Sequence, residues 1–277
     1  MKTDREYLDN FAEAQLRLRL RKTAATARHA AGRPGEAENI HNLRVAIRRF
    51  TQALRVFRDL LDRSHVRKMR RELHKIMELC GDIRDCDIAK ETIDAAGVPA
   101  SGALERHLRK ARSRAERDLE DLLSHSRISK IKSWDAWLRP KAGLRQTIAG
   151  SARKTLVPLT RQFFKTAEAA WQTQSTVDEM HRFRLLAKRL RYSLEIFGPA
   201  ASRGWQRRVD EIRALQERLG AVNDCATTLD LLNNSGNGPK RALEGLLAHR
   251  IQEFRTYRNG HFGANVQRSW LAQLRRT

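Results

Sequence analysis

Three observations predict an all-α protein built as two pseudo-symmetric helical bundles. Apolar residues recur at helical spacing over long stretches, runs of alternating β-branched residues are missing, and a motif recurs 140 residues on, from His41 to His181. The periodicity places helices over 3–29, 36–62, 64–80, 85–95, 101–124, 127–138, 142–173, 177–197, 203–219, 224–233, 239–258 and 264–275. The breaks fall on ordinary helix punctuation: Gly32-Arg33-Pro34-Gly35, Gly81, Gly97-Val98-Pro99, Pro140, Gly198-Pro199, Gly220 and the stretch from Ser235 to Pro239. Pro158 lies within 142–173 and should kink or break that helix, because it lacks a backbone donor.

The duplication is carried by three blocks. His41-Asn42-Leu43-Arg44-Val45-Ala46-Ile47-Arg48-Arg49-Phe50 is echoed by His181-Arg182-Phe183-Arg184-Leu185-Leu186-Ala187-Lys188-Arg189-Leu190, and Phe57 is matched by Phe197. Gly81, Asp85 and Cys86 then match Gly220, Asp224 and Cys225 at an offset of 139, as Ala103-Leu104-Glu105 match Ala242-Leu243-Glu244. A single domain spanning 1–277 is expected, with a first half over 1–126 and a second over 127–277.

On a helical wheel Leu43, Ile47, Phe50, Leu54, Phe57 and Leu61 cluster as a core stripe. His41, Arg44, Arg48 and Arg55 form a cationic stripe along its flank. In the second copy Phe183, Leu190, Leu194 and Phe197 make the apolar stripe, and His181, Arg184, Lys188 and Arg191 the cationic one. Like charges at i, i+3 and i+4 repel, at a few tenths of a kcal/mol per pair. Twice-repeated repulsion points to use. Guanidinium forks in a row suit the oxygens of a phosphate chain, and imidazole adds donors that strengthen as pH falls. The competing reading of each stripe is a solvated basic face.

Gly81 and Gly220 read as helix stops, with Asp85 and Asp224 as caps of the following helices; an aspartate orienting a stripe arginine is compatible with that reading. Cys86 and Cys225 read as small buried residues. Arg67, Lys68, Arg71, His74 and Lys75 follow the first stripe and Arg207, Arg208 and Arg213 the second; His74 and Arg213 correspond at offset 139 and extend the candidate set. Arg106, Arg109, Arg112, Arg241 and Arg250 read as ordinary surface. Trp134 and Trp137 read as core or inter-half packing, and Trp270 and Leu274 as a bundle cap or partner contact.

The chain has 277 residues, enough for a large core, and 55 Lys plus Arg against 32 Asp plus Glu. The resulting net charge of +23 and pI near 11.1 select anionic partners: polyphosphate, nucleic acid or acidic membrane. Three cysteines without a Cys-x-x-Cys pair, a polar N-terminus and no long apolar run lead to the expectation of a cytoplasmic protein that does not span a membrane. Phosphate-binding glycine loops, His-Glu-x-x-His and Gly-x-Ser-x-Gly are missing, so no enzyme activity, metal or cofactor is expected.

The first motif with Leu54-x-x-Phe57, the block Leu79 to Asp87, the second motif through Phe197, and Leu215-Gln-x-x-Leu-Gly220-x-x-Asn-Asp224 together resemble the conserved histidine α-helical domain family, CHAD. The resemblance implies two helical bundles around a basic central cavity that binds inorganic polyphosphate, with association with polyphosphate granules. The family's ligand residues carry over to His41, Arg44, Arg48, Arg49, His181, Arg184, Lys188 and Arg189; Arg55 and Arg191 are added from the wheel. Some relatives join a triphosphatase domain bearing Glu-x-Glu-x-Lys. Glu36-Ala-Glu38-Asn-Ile breaks that signature, so a stand-alone binding module is expected. The alternative function is nucleic-acid binding without sequence preference. Against it, only 6% of residues are aromatic and none interleaves with the stripes, whereas single-strand platforms stack bases on such rings.

Overall fold

A computed structural model describes residues 8–97, 102–141, 147–170, 176–200, 204–232, 237–262 and 264–276. Among them are ten α-helices and no β-strand. The helices are α1 (Leu8–Gly32), α2 (Ala37–Val56), α3 (Arg63–Ala95), α4 (Gly102–Leu122), α5 (His125–Ser133), α6 (Ile148–Ala170), α7 (Val177–Phe197), α8 (Trp205–Leu231), α9 (Asn237–His261) and α10 (Ala264–Arg276). Short 3-10 turns occupy Arg58–Leu60, Trp134–Leu138 and Gly198–Ala200. Among the described residues, no helix is long and apolar enough to cross a membrane.

The chain packs as two compact units: Met1–Lys90 with Ser101–Thr147, and Glu91–Ala100 with Ile148–Thr277. In the first, α1 lies against α2, α4 and α5; in the second, α7 lies against α6 and α8, α9 against α8, and α10 against α6. The division at 126/127 read from the repeat falls within the first turn of α5, and both α5 and the turn Trp134–Leu138 pack on α1 within the first unit.

Burial follows the wheel. Leu43, Ile47, Phe50, Leu54, Phe57 and Leu61 are all buried, as are Phe183, Leu190, Leu194 and Phe197. Removing these side chains from water is the main driving force for seating α2 and α7. α7 starts where a capping box sets it: Thr176 accepts from the Glu179 amide and the Glu179 carboxylate accepts from the Thr176 amide. Trp134 and Trp270 are core residues, Trp270 packing on Phe163 and Phe164, while Trp137 is half-buried and stacked on His65 at 4.4 Å.

Several sequence expectations are corrected. Gly81 and Gly220 end nothing: 64–80 and 85–95 fall in one helix, α3, and α8 runs unbroken from Trp205 to Leu231 across the expected break. Asp85 and Asp224 are mid-helix, not caps. A helix-interior glycine costs only about 0.5–1 kcal/mol against alanine, which packing on α2 and α7 readily offsets. α6 continues unbroken through Pro158. The helix expected over 36–62 stops at Val56, and the stretch 127–138 divides into α5 and a 3-10 turn. Residues 3–7, 101, 142–146, 171–173, 203 and 233, which the expected helices also covered, lie outside the described residues.

Arg112 is not ordinary surface. Its Nε donates to Asp87 Oδ1 on α3 at 2.7 Å, Nη1 to Glu116, and Nη2 to the Gly35 carbonyl at 3.1 Å. Burial opposes its charge, but the bonds to Asp87 and Glu116 hold its pKa above the usual arginine value. One side chain thereby ties α4 to α3 and to the α1–α2 turn. Arg112→Ala would leave Asp87 and Glu116 as unpaired half-buried carboxylates, and about 1–3 kcal/mol of stability should be lost in urea unfolding. A loss within a few tenths of a kcal/mol would show that the network contributes little.

Candidate functional site

α2 carries its cations on the flank of its buried face. His41 is exposed; Arg44, Arg48, Arg49 and Arg55 are half-buried. α2 and α3 are joined by a short turn and run antiparallel. Arg44 therefore reaches α3 well beyond its start, where Nη1 donates to the Met77 carbonyl at 3.5 Å. A Cβ at Gly81 would sit 3.3 Å from that same Nη1. Glycine here gives an arginine room to lie across the helix. The arrangement recurs in the second unit, where a Cβ at Gly220 on α8 would sit 4.0 Å from Arg184 Nη2 on α7. The glycine blocks that read as turns are thus the floors beneath the motif arginines.

Each motif histidine faces the same helix one turn further on. Partial desolvation of the His41 ring holds its pKa below the ordinary 6.5, and the guanidiniums of Arg84, Arg48 and Arg44 push the same way against the pull of Glu38. At the corresponding place in the second unit, His181 Nδ1–H donates to the Asn223 amide oxygen. That bond fixes the ring and leaves Nε2 as its other polar atom. Arg84 and Asn223 were missed in the sequence because they lay in segments read as turns. The available signal was their shared place in the Gly-x-x-x-Asp blocks, three residues after each glycine.

The other candidates divide. Lys188 and Arg191 are half-buried and Arg189 is exposed. Arg191 lies over the Tyr192 ring at 4.9 Å and pairs with Glu195 at 3.6 Å, so part of its charge is already answered. His74 lies 3.5 Å from Glu78 and Arg213 2.8 Å from Asp210, both exposed pairs of the kind worth little to stability. Among the described residues, no group of His, Cys, Asp and Glu is arranged to hold a metal. Cys80, beneath Arg44, is buried and its thiol is pushed up to about 12 by desolvation, far from a reactive thiolate. Burial also raises the Cys86 and Cys225 thiols.

The CHAD domain pattern matches residues 14–233, most of the chain and all of the elements just described. The chain belongs to the CHAD family. Two solved structures share its fold. One is described as PptA from Streptomyces chartreusis: TM-score 0.69, 17% identity, covering 93% of this chain and 99% of that one. The other is described as the CHAD domain from the plant Ricinus communis: TM-score 0.67, 20% identity, covering 94% and 93%. The comparison with curated proteins finds no match. The CHAD family is known for polyphosphate-related binding.

The glycine floors make a paired prediction. Gly81→Ala should leave the thermal midpoint unchanged or slightly raised, since alanine favours a helix by about 0.5–1 kcal/mol. It should also displace the Arg44 guanidinium and weaken polyphosphate binding. Gly220→Ala, with ordinary contact to Arg184, should leave affinity as it is. Equal effects of both changes on binding would contradict the role given to the Gly81 floor.

Proposed function

We propose that this CHAD protein binds inorganic polyphosphate and does not turn it over. The observation that supports the reading most is the repeated placement of a motif arginine across a helix glycine beside a motif histidine: Arg44, Gly81 and His41 in one unit, Arg184, Gly220 and His181 in the other. A half-buried guanidinium spread over a flat helix surface has lost part of its hydration before any ligand arrives. An anion that replaces that hydration bidentately gains more there than on a fully wet arginine. Arg48 and Lys188, one turn along from Arg44 and Arg184, would take neighbouring phosphates of the same chain.

Burial keeps the thiol beneath Arg44 protonated, so it is not a ready nucleophile. The proposed setting is the cytoplasm, at polyphosphate granules. Nucleic acid is the second reading, favoured by the net charge of +23, which would draw any phosphate polymer at low salt.

Arg44→Ala with Arg48→Ala, and separately Arg184→Ala with Lys188→Ala, should each weaken polyphosphate binding and leave the fold intact, because these side chains flank the core. Each lost contact should cost about 1.5–3 kcal/mol where desolvated, roughly tenfold in affinity per 1.4 kcal/mol. Arg109→Ala with Arg117→Ala, both exposed on α4, removes the same charge and should do little. Affinity should fall log-linearly with salt. It should rise from about pH 8 to about pH 5, because a bound polyanion raises the depressed His41 pKa and binding then takes up a proton. Equal losses in the control and motif variants would sink the reading in favour of bulk charge, and affinity independent of salt would remove its electrostatic basis.

A further inference from the structure

The first half of α3 carries a cationic face that the motif does not account for. From Arg63 to Lys75 the helix holds Arg63, Arg67, Lys68, Arg70, Arg71 and Lys75 against a single acid, Glu72. Glu72 is turned inward, 7% exposed and paired with Arg127 of α5. Nothing on this helix's outer face up to His74 answers its positive charge, and among the described residues Arg63, Arg67 and Arg70 form no ion pair. All three are exposed.

Their direction is set by Gly81, whose Cβ position points at Arg44. Stepping about 100° per residue, Arg63 returns to the direction of Gly81, and Arg70, His74 and Arg67 fall within about 40° of it. The buried residues Met69, Leu73, Ile76 and Cys80 occupy the inward side. Because α2 and α3 run antiparallel, moving from Arg44 through Arg48 to Arg55 on α2 is moving from Gly81 toward Arg63 on α3. Two rows of cations therefore run side by side.

The second unit lacks this row. At the same offset α8 has Gln206 in place of Arg67 and Val209, 2% exposed, in place of Arg70. Its remaining arginines are answered locally: Arg207 and Arg208 bond to Glu211, and Arg213 to Asp210.

We infer that Arg63, Arg67 and Arg70 extend the anion site of the first unit along α3, so that a linear polyphosphate too long for the motif residues alone continues onto this row, and that the second unit has no such extension. The inference rests on the polyphosphate reading of the motif site. From Gly81 to Arg63 is 18 residues of helix, or about 27 Å at 1.5 Å each, a span that a short oligophosphate seated at Arg44 does not cover. Charge complementarity and the linear layout favour an extended chain over a compact anion.

The test compares Arg67→Ala with Arg70→Ala in the full chain, using tripolyphosphate and long-chain polyphosphate as probes, beside the Arg44/Arg48 and Arg109/Arg117 double variants. The expected result is a loss of about tenfold or more for the long chain, with tripolyphosphate affinity unchanged. The Arg44/Arg48 variant should lose both probes. If the Arg67/Arg70 variant matches the Arg109/Arg117 control on long chains, or weakens both probes alike, the extension is wrong while the motif reading stands. If the Arg44/Arg48 variant also matches the control, the motif reading itself has failed. Because the substituted residues are exposed, circular dichroism should show an unchanged fold.

Discussion

The structure turns on one steric constraint: a motif arginine that lies close against a neighbouring helix backbone needs a residue without a side chain beneath it. Arg44 meets it by lying over Gly81, where the missing side chain admits a guanidinium and the Met77 carbonyl gives it a polar contact. The apolar flank of α2 supplies the anchorage. Phe50, Leu54 and Phe57 are buried so completely that the repulsion among the flanking cations, a few tenths of a kcal/mol per pair, is small beside the burial that opposes it. The apolar stripe and the cationic stripe thus occupy adjacent faces of one helix.

The two units treat the same plan differently. Where His41 has the Arg84 guanidinium, His181 has the Asn223 amide; where α3 leaves its first arginines unanswered, α8 pairs its own with Asp210 and Glu211. Partial desolvation and the neighbouring guanidiniums hold the His41 pKa below its ordinary value. Arg112 shows the opposite use of an arginine. Bonds from each of its three nitrogens, to α3, α4 and the α1–α2 turn, make it a structural tie. An arginine's role here is read from its partners, not from its charge.

Much of this was legible in the sequence and some was not, for identifiable reasons. The core stripe of α2 and the bounds of α7 follow from 3.6-residue periodicity, which burial enforces directly. The glycine blocks misled because glycine followed by aspartate is a local stop-and-restart signal, whereas the reason for Gly81 lies 37 residues away in Arg44. Arg84 and Asn223 disappeared with the same misreading. Arg112 reads as surface in the sequence because its partners Asp87 and Gly35 are 25 and 77 residues distant. Contacts of that range leave no periodic trace in a single sequence.

The most direct measurement is competition between long-chain polyphosphate and duplex DNA for the intact protein, at equal phosphate concentration and a fixed salt near physiological. The account predicts that polyphosphate displaces DNA from the unaltered chain, and that removing Arg44, Arg48, Arg184 and Lys188 together abolishes the preference while weak binding of both polymers persists. A chain that holds the two polymers equally, before and after those substitutions, would contradict it.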